Sequence, residues 1–315
     1  AQALLDDPGF SLVALNEVDP AKLAKTCGEL AGGKRAGGPR VSATLPNDSI
    51  DVAIVTTASH FDRVCPTLRE LIARKTHVVS SCEEMAFPRY RHANLTDEID
   101  AQAKAAGVAL VGTGVNPGFV MDLLPLVLSS MVLEVRGLRC VRRVNASMRR
   151  KPLQAKIGST MTADHFRALA RDGKIGHMGL PESIAMIAAG LGRHAALGSI
   201  QISLEPVVAE RETQSLLGPI RAGQVCGMRN RGCFRGMGLD IELDLTMALD
   251  LPDPHDAVEL SGPVPLKLRI ENSTPGDSAT VAALVNYSRI VPTAAPGLHT
   301  VLTLPPASCR RPAGA

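Results

Sequence analysis

Residues 108–122 restrict what this chain can fold into more than any other stretch. They read Val-Ala-Leu-Val-Gly-Thr-Gly-Val-Asn-Pro-Gly-Phe-Val-Met-Asp. Residues 108–111 favour a strand, Gly112 and Gly114 end it, and Asn116-Pro117-Gly118 makes a turn. Residues 119–132 then predict an apolar helix. A buried strand that closes in glycines and opens onto a helix is how α/β folds form ligand crevices. The crevice lies beyond the carboxyl ends of the strands, and glycine lets a ligand approach the backbone. The same letters also describe an ordinary strand-turn-helix corner.

Upstream, the chain alternates strand and helix. Strands are expected at 11–15, 41–44, 51–57 and 77–81, and helices at 21–30, 61–75 and 96–106. Asp19-Pro20 is a good helix start, with a capping carboxylate and proline at the first helical position. The run at 51–57 is continuous and β-branched, as central parallel strands are. This rhythm predicts a doubly wound, Rossmann-type parallel sheet over residues 1–122. A dinucleotide-binding sheet normally begins with a strand that carries G-x-G-x-x-G into its first helix. No such motif is present. The glycines at 32, 33, 37 and 38 have the wrong spacing and follow a helix, so they read as a solvent loop. The expectation is that the first strand is missing, with roughly 20 residues absent. Such a loss would expose two sheet edges and remove the pyrophosphate site.

After residue 122 the pattern changes to longer alternating strands (135–146, 200–209, 238–249, 266–270) and helices at 162–171 and 181–190. Residues 149–162 look polar and irregular. This fits an α+β substrate and oligomerisation domain over 123–277. A carboxy-terminal helix and tail, 278–315, would pack back on the first domain. The tail is proline-rich and basic at Arg310-Arg311, and is expected to fray.

At 315 residues and 45% hydrophobic composition, the chain can bury a substantial core. A net charge of +3 argues against a nucleic-acid or membrane-surface partner, and an aromatic content of 3% without tryptophan argues against base stacking. No apolar run is long enough to span a bilayer. The seven cysteines contain no C-x-x-C pair and read as reduced thiols of a cytoplasmic protein; no leader peptide is expected. No histidine or carboxylate spacing points to a metal.

Several residues suit chemistry. Glu83 and Glu84 follow the strand at 77–81 and stand at the same sheet edge as Asn116, so one of them is a candidate general acid/base. Either also suits a helix cap. Thr56, Thr57 and Ala58 end the central strand, where small side chains suit a nicotinamide ribose or any turn. Lys156, Ser159 and Thr160 precede a helix and can hold a carboxylate, or form a basic solvated loop. His177 sits in a glycine turn before a helix, as a substrate contact or a turn cap.

Five segments together resemble the 2,4-diaminopentanoate dehydrogenase and amine dehydrogenase family, a distant cousin of dihydrodipicolinate reductase. They are Val111-Gly-Thr-Gly-Val-Asn-Pro-Gly-Phe-Val-Met-Asp122, Cys82-Glu-Glu-Met85, Pro152-Leu-Gln-Ala-Lys-Ile-Gly-Ser159, Gly176-His-Met-Gly-Leu-Pro-Glu-Ser183 and Pro296-Gly-Leu-His-Thr300. The resemblance implies an NAD- or NADP-dependent enzyme that interconverts an amine with a ketone plus ammonia, as a homodimer or homotetramer. It implies a proton-handling glutamate at 83 or 84, and a nicotinamide beside Asn116, Pro117 and Gly118. Lys156, Ser159 and Thr160 correspond to a carboxylate-holding segment, with Thr160 where glycine is usual. Asn16 stands where an acidic residue often meets the adenosine ribose, which leaves NAD against NADP open. The alternatives are a dihydrodipicolinate-reductase-like reductase without ammonia chemistry, or a truncated inactive homologue.

Overall fold

A computed structural model describes residues 1–30, 37–196 and 198–309. Most of the glycine-rich loop read at 32–38 lies outside the described residues, as do Arg310 and Arg311. The chain begins with α1 (Gln2–Leu5), β1 (Leu15–Asn16), α2 (Cys27–Leu30) and β2 (Val41–Ser42). The longer strand expected at 11–15 and helix at 21–30 shrink to these short pieces. Among the described residues β1 and β2 pair only with each other, in parallel. With Val13 and Val18 exposed, little apolar burial offsets the entropy of ordering this segment.

The next elements match the expected alternation: β3 (Val52–Val55), α3 (Phe61–Ala73), β4 (His77–Ser80), α4 (Ala93–Ala106) and β5 (Ala109–Gly112). β3, β4 and β5 pair in parallel. β5 is buried at every position, so its sequence is a plain apolar run. α3 lays Phe61, Val64, Leu68, Leu71 and Ile72 on one face, against Val78, Leu110 and Ile99. Gly107 closes α4 in the left-handed conformation.

Beyond β5 come α5 (Leu123–Ser129), β6 (Gly137–Asn145), α6 (Lys151–Lys156), α7 (Ala163–Arg171), α8 (Leu180–Gly190) and β7 (Gln201–Val208). The helix expected from residue 119 starts only at Leu123. Buried Asp122 caps it, accepting from the backbone of both Leu123 and Gly118. α6 replaces the irregular loop expected there. The remainder is β8 (Thr213–Ser215), β9 (Gly218–Ile220), β10 (Val225–Gly236), β11 (Leu239–Ala248), β12 (His255–Ser261), β13 (Leu266–Glu271), α9 (Gly276–Ser288) and β14 (Gly297–His299).

Six of these strands form one sheet in the order β13-β12-β6-β11-β10-β7, while β8 and β9 pair with each other. The ladders of the six-stranded sheet are antiparallel except β6 with β11. The sequence misses β10 because three glycines interrupt its pattern; one of them, Gly227, lies so close to β11 that a Cβ would come 2.3 Å from the Met247 carbonyl oxygen. α5, α7 and α8 cover one face of this sheet. The other face is open and carries paired charges such as Arg229 with Asp244. α9 and β14 return to the parallel sheet, where α9 packs on β3 and β4 and β14 extends the ladder beyond β5. Among the described residues no helix is long and apolar enough to cross a membrane, and no His, Cys, Asp or Glu group could hold a metal.

Candidate active site

A cleft of about 410 Å³ opens at the carboxyl ends of β3, β4 and β5. One wall is the parallel-sheet edge: Thr56, Thr57, Ala58, Ser59, Glu83, and residues 113–117. The opposite wall comes from the second half of the chain: Arg142 and Val144 of β6, Leu245 and Met247 of β11, the start and end of α6, His177, and the start of α9. Ligand sites in open α/β sheets occupy this location because the turns there present backbone groups rather than side-chain bulk.

Glycine geometry builds the first wall. A Cβ at Gly112 would lie 2.3 Å from the Met85 carbonyl oxygen, so β5 and the turn after β4 approach closely only because residue 112 is glycine. The Asn116-Pro117 bond is cis, and Gly118 follows at φ +126°, a conformation that favours glycine. A Cβ at Gly118 would meet the Gly114 backbone nitrogen at 2.3 Å.

The two adjacent glutamates part company. Glu83 lines the cleft, with its carboxylate 3.8 Å from the Lys156 ammonium. Glu84 points the other way and is buried. It accepts from the Phe61 backbone N–H at 2.8 Å and lies 3.1 Å from His60 Nδ1 and 3.0 Å from His92 Nε2. Burial alone would raise its pKa, but these hydrogen bonds overcome that and hold it below the usual range. Arg91 sits between Glu84 and buried Glu182, at 3.9 and 2.5 Å. Glu84 thus ties the start of α3 to the segment before α4.

His177 stands beside the asparagine-proline turn. Its Nε2 lies 3.1 Å from both the Asn116 carbonyl oxygen and the Asn116 side-chain nitrogen. Burial, then the charges of Lys156 and Arg142, push its pKa down to about 3, so the ring is neutral at ordinary pH. The Asn230 side chain donates to the His177 carbonyl and fixes the loop. Gly179, at φ +102°, leaves room for Pro117, whose Cδ a Cβ would approach to 2.5 Å.

Thus Thr56, Thr57, Ala58, Glu83, Asn116, Pro117, Lys156 and His177 converge on one cleft. Gly118 shapes the turn without lining the cleft. Glu84, Ser159, Thr160 and Asn16 are not among the lining residues either. Ser159 is buried behind α6, and Thr160 takes φ +76°, the left-handed region that glycine would occupy without strain. Asn16 is exposed and donates to the Ser42 carbonyl. Sequence reading named neither Arg142 nor Asp277, and it did not single out Arg149 within the basic segment that opens there; tertiary packing brings all three to the cleft.

A nicotinamide group fits the parallel-sheet wall. Thr113 Oγ1 and Asn116 Oδ1 are buried there without a hydrogen-bond partner, and the neighbouring Ala58, Ser59 and Gly114 are small. A lone hydroxyl and a lone amide oxygen at the cleft wall are what the carboxamide of such a ring, with its own N–H donors and carbonyl acceptor, would satisfy.

Comparison with known proteins accords with this geometry. A profile of the 2,4-diaminopentanoate dehydrogenase C-terminal domain matches residues 119–311. The chain is 33% identical over 270 residues to 2,4-diaminopentanoate dehydrogenase of Acetoanaerobium sticklandii, covering 83% of this chain and 75% of that protein. The fold is similar to the amine dehydrogenase of Mycobacterium smegmatis, with TM-score 0.83, 23% identity, and coverage of 98% and 93% of the two chains. It is more distantly similar to a dipicolinate-bound dihydrodipicolinate reductase from Paenisporosarcina, with TM-score 0.50, 12% identity, and coverage of 96% and 92%.

Proposed function

The chain belongs to the 2,4-diaminopentanoate dehydrogenase family and is an NAD(P)-dependent oxidoreductase of amines, and we propose that Glu83 moves the protons while a 2,4-diaminopentanoate-like amine becomes a ketone. The overall reaction consumes amine, water and oxidised nicotinamide, and yields ketone, ammonia, reduced nicotinamide and a proton. The bound cofactor supplies the hydride acceptor, or the donor in reverse.

Thr113, Asn116 and Pro117 would hold the nicotinamide end of either NAD or NADP. Glu83 would take a proton from the water that attacks the C=N carbon, and hand one to the departing ammonia. Lys156, 3.8 Å from Glu83, would help to orient that carboxylate toward the substrate. Neutral His177 offers substrate a hydrogen-bonding ring without adding a cation. Walls on both sides limit water around a C=N bond that would otherwise hydrolyse out of turn. Cytoplasmic residence suits the free state of all seven cysteines. A homodimer or homotetramer would use the open face of the six-stranded sheet.

The observation that carries this reading is that Glu83, and not Glu84, faces Lys156 across the cleft beside the asparagine-proline turn. The purified chain, given 2,4-diaminopentanoate with NAD or NADP, is expected to form reduced nicotinamide and ammonia in equal amounts. Reduced nicotinamide without ammonia would reject the amine chemistry.

A further inference from the structure

The first turn of α8 is tied down on two sides. On one side buried Glu182 accepts from Arg91 Nε at 2.5 Å. On the other, Ser183 Oγ donates to Asp122 Oδ2 at 2.7 Å, and the same oxygen accepts from the Gly118 backbone N–H at 2.8 Å. None of these four side chains is among the residues that line the cleft. Both ties nevertheless lead to it. Arg91 belongs to the segment that follows Glu83 and Glu84, and Asp122 to the segment that follows the asparagine-proline turn. The Ser183 N–H also donates to the Gly179 carbonyl at 2.9 Å, so the turn that ends at Gly179 moves with the helix.

Gly179 is where such movement matters. A Cβ placed there would lie 3.3 Å from the Glu83 Cβ and 2.5 Å from Pro117 Cδ. The turn therefore packs on the proposed proton carrier and on the nicotinamide wall at once. His177 stands two residues earlier, 3.1 Å from Asn116.

Arg91 joins the two sides of this junction. Its Nε is 3.9 Å from Glu84 as well as 2.5 Å from Glu182. Glu84 is the chain neighbour of Glu83 and is itself pinned by Phe61, His60 and His92. The guanidinium lies over the Tyr90 ring, 5.5 Å from its centroid, which narrows its own freedom. One side chain thus connects the segment that carries Glu83 to the helix whose lead-in carries His177. Ion pairs with a buried partner often add little net stability, because desolvation offsets attraction; their best-attested use is to fix one arrangement.

We propose that Arg91 is a positioning residue of this enzyme: through Glu182 and Glu84 it sets the spacing between Glu83 and His177 across the cleft. Its effect on turnover rests on the amine dehydrogenase reading, and its effect on His177 rests on geometry alone.

Arg91→Met removes the donor and keeps much of the bulk. With 2,4-diaminopentanoate and NAD or NADP it is expected to lower kcat by about 100-fold, the effect of misplacing reacting groups by roughly 1 Å, while KM stays within about threefold of wild type. A rise in KM with kcat unchanged overturns the proposal. Arg91→Lys is expected to restore most of the loss, because the contact to Glu182 uses one nitrogen and not a two-pronged fork. A lysine variant no better than Arg91→Met overturns it. Should Arg91→Met fail to fold, the double variant Arg91→Met with Glu182→Met leaves no buried carboxylate without its partner. The same fall in kcat in the folded double variant supports positioning; wild-type kcat there overturns it, since Arg91 would then serve only to match Glu182. A readout without turnover is the His177 imidazole nitrogen signals in labelled protein, identified by their absence from His177→Asn. They are expected to shift in Arg91→Met and in the double variant, and unmoved signals overturn the proposal. Should the wild-type chain oxidise no amine, the amine dehydrogenase reading fails, and the His177 signals still decide what Arg91 positions.

Discussion

The two sheets of this protein bury themselves in opposite ways. The parallel sheet is covered on both faces, by α3 and α4 on one side and α9 on the other, and β5 is buried throughout. The six-stranded sheet is covered on one face only. Its β6 alternates buried and half-exposed residues, and its free face carries ion pairs such as Arg229 with Asp244. The difference explains how the cleft acquires its chemistry. A sheet enclosed on both faces presents function only at its edge, through turns, and here the edge provides glycines, hydroxyls and one carboxylate. A sheet with alternating faces tolerates arginines along its strands, and its border with α6 and α9 delivers the cations.

The largest effect that tests this division is catalytic. Glu83→Gln is expected to lower kcat for amine oxidation by roughly 10²- to 10⁴-fold with little change in melting temperature. Glu84→Gln should do the reverse, because Glu84 holds backbone and imidazole groups inside the fold. Wild-type turnover in Glu83→Gln would move the proton carrier elsewhere.

A second test compares one glycine from each sheet. Gly112→Ala places a Cβ 2.3 Å from a backbone oxygen, whereas Gly232→Ala meets the ends of the Ile184 and Ile202 side chains at 2.7 and 2.9 Å. Backbone cannot step aside as a Cδ1 can. Chemical denaturation should show a loss of about 3 kcal/mol for Gly112→Ala and about 1 kcal/mol or less for Gly232→Ala. Equal losses would mean the two sheets are equally rigid.

The third test is pH dependence at the seam between the sheets. The His177 ring in the folded protein takes a proton only near pH 3, against an ordinary value of 6.5. Between those values the unfolded chain binds the extra proton. Stability contributed by the neutral ring is therefore complete above about pH 6.5 and is lost as pH falls toward 3, by at most about 1.4 kcal/mol per pH unit. Because His177 borders the cleft, the true slope is shallower. Glu84, with its lowered pKa, acts in the same direction, so the measurement is the difference between wild type and His177→Asn. The variant should lose melting temperature less steeply in acid; parallel curves would refute a neutral buried ring.

The smallest effect belongs to the open face. Lys267→Ala removes a 3.5 Å ion pair with Glu259 between two well-exposed side chains. It is expected to leave the melting temperature within about 2 °C. A larger fall would indicate that another subunit covers this face.

The strands and helices of the parallel half were largely legible because burial on both faces leaves continuous apolar runs. Thr56, Glu83 and Asn116 could be found because the strand ends that carry them were found, and Lys156 because it stands in a basic segment ahead of a helix start. Glu83 could not be told from Glu84, because adjacent residues in a turn take their directions from packing: Phe61, His60 and His92 draw Glu84 inward. Arg149 was hidden for a related reason. Its place in the cleft depends on Gly276 and Asp277, more than a hundred residues later, and no local spacing records that meeting. At the amino end, apolar letters at 11–15 promised a strand that tertiary structure does not bury.

β14 has a consequence in time. Gly297 pairs with Ala109, so the outermost rung of the parallel sheet is made long after the strand it joins. During synthesis, β5 emerges with one flank bare, and it stays bare while the entire six-stranded sheet is being translated. Closing so wide a loop is slow, and an uncovered flank invites pairing with other nascent chains. Ribosome-stalled chains that stop short of residue 297 should therefore be protease-sensitive in the parallel half.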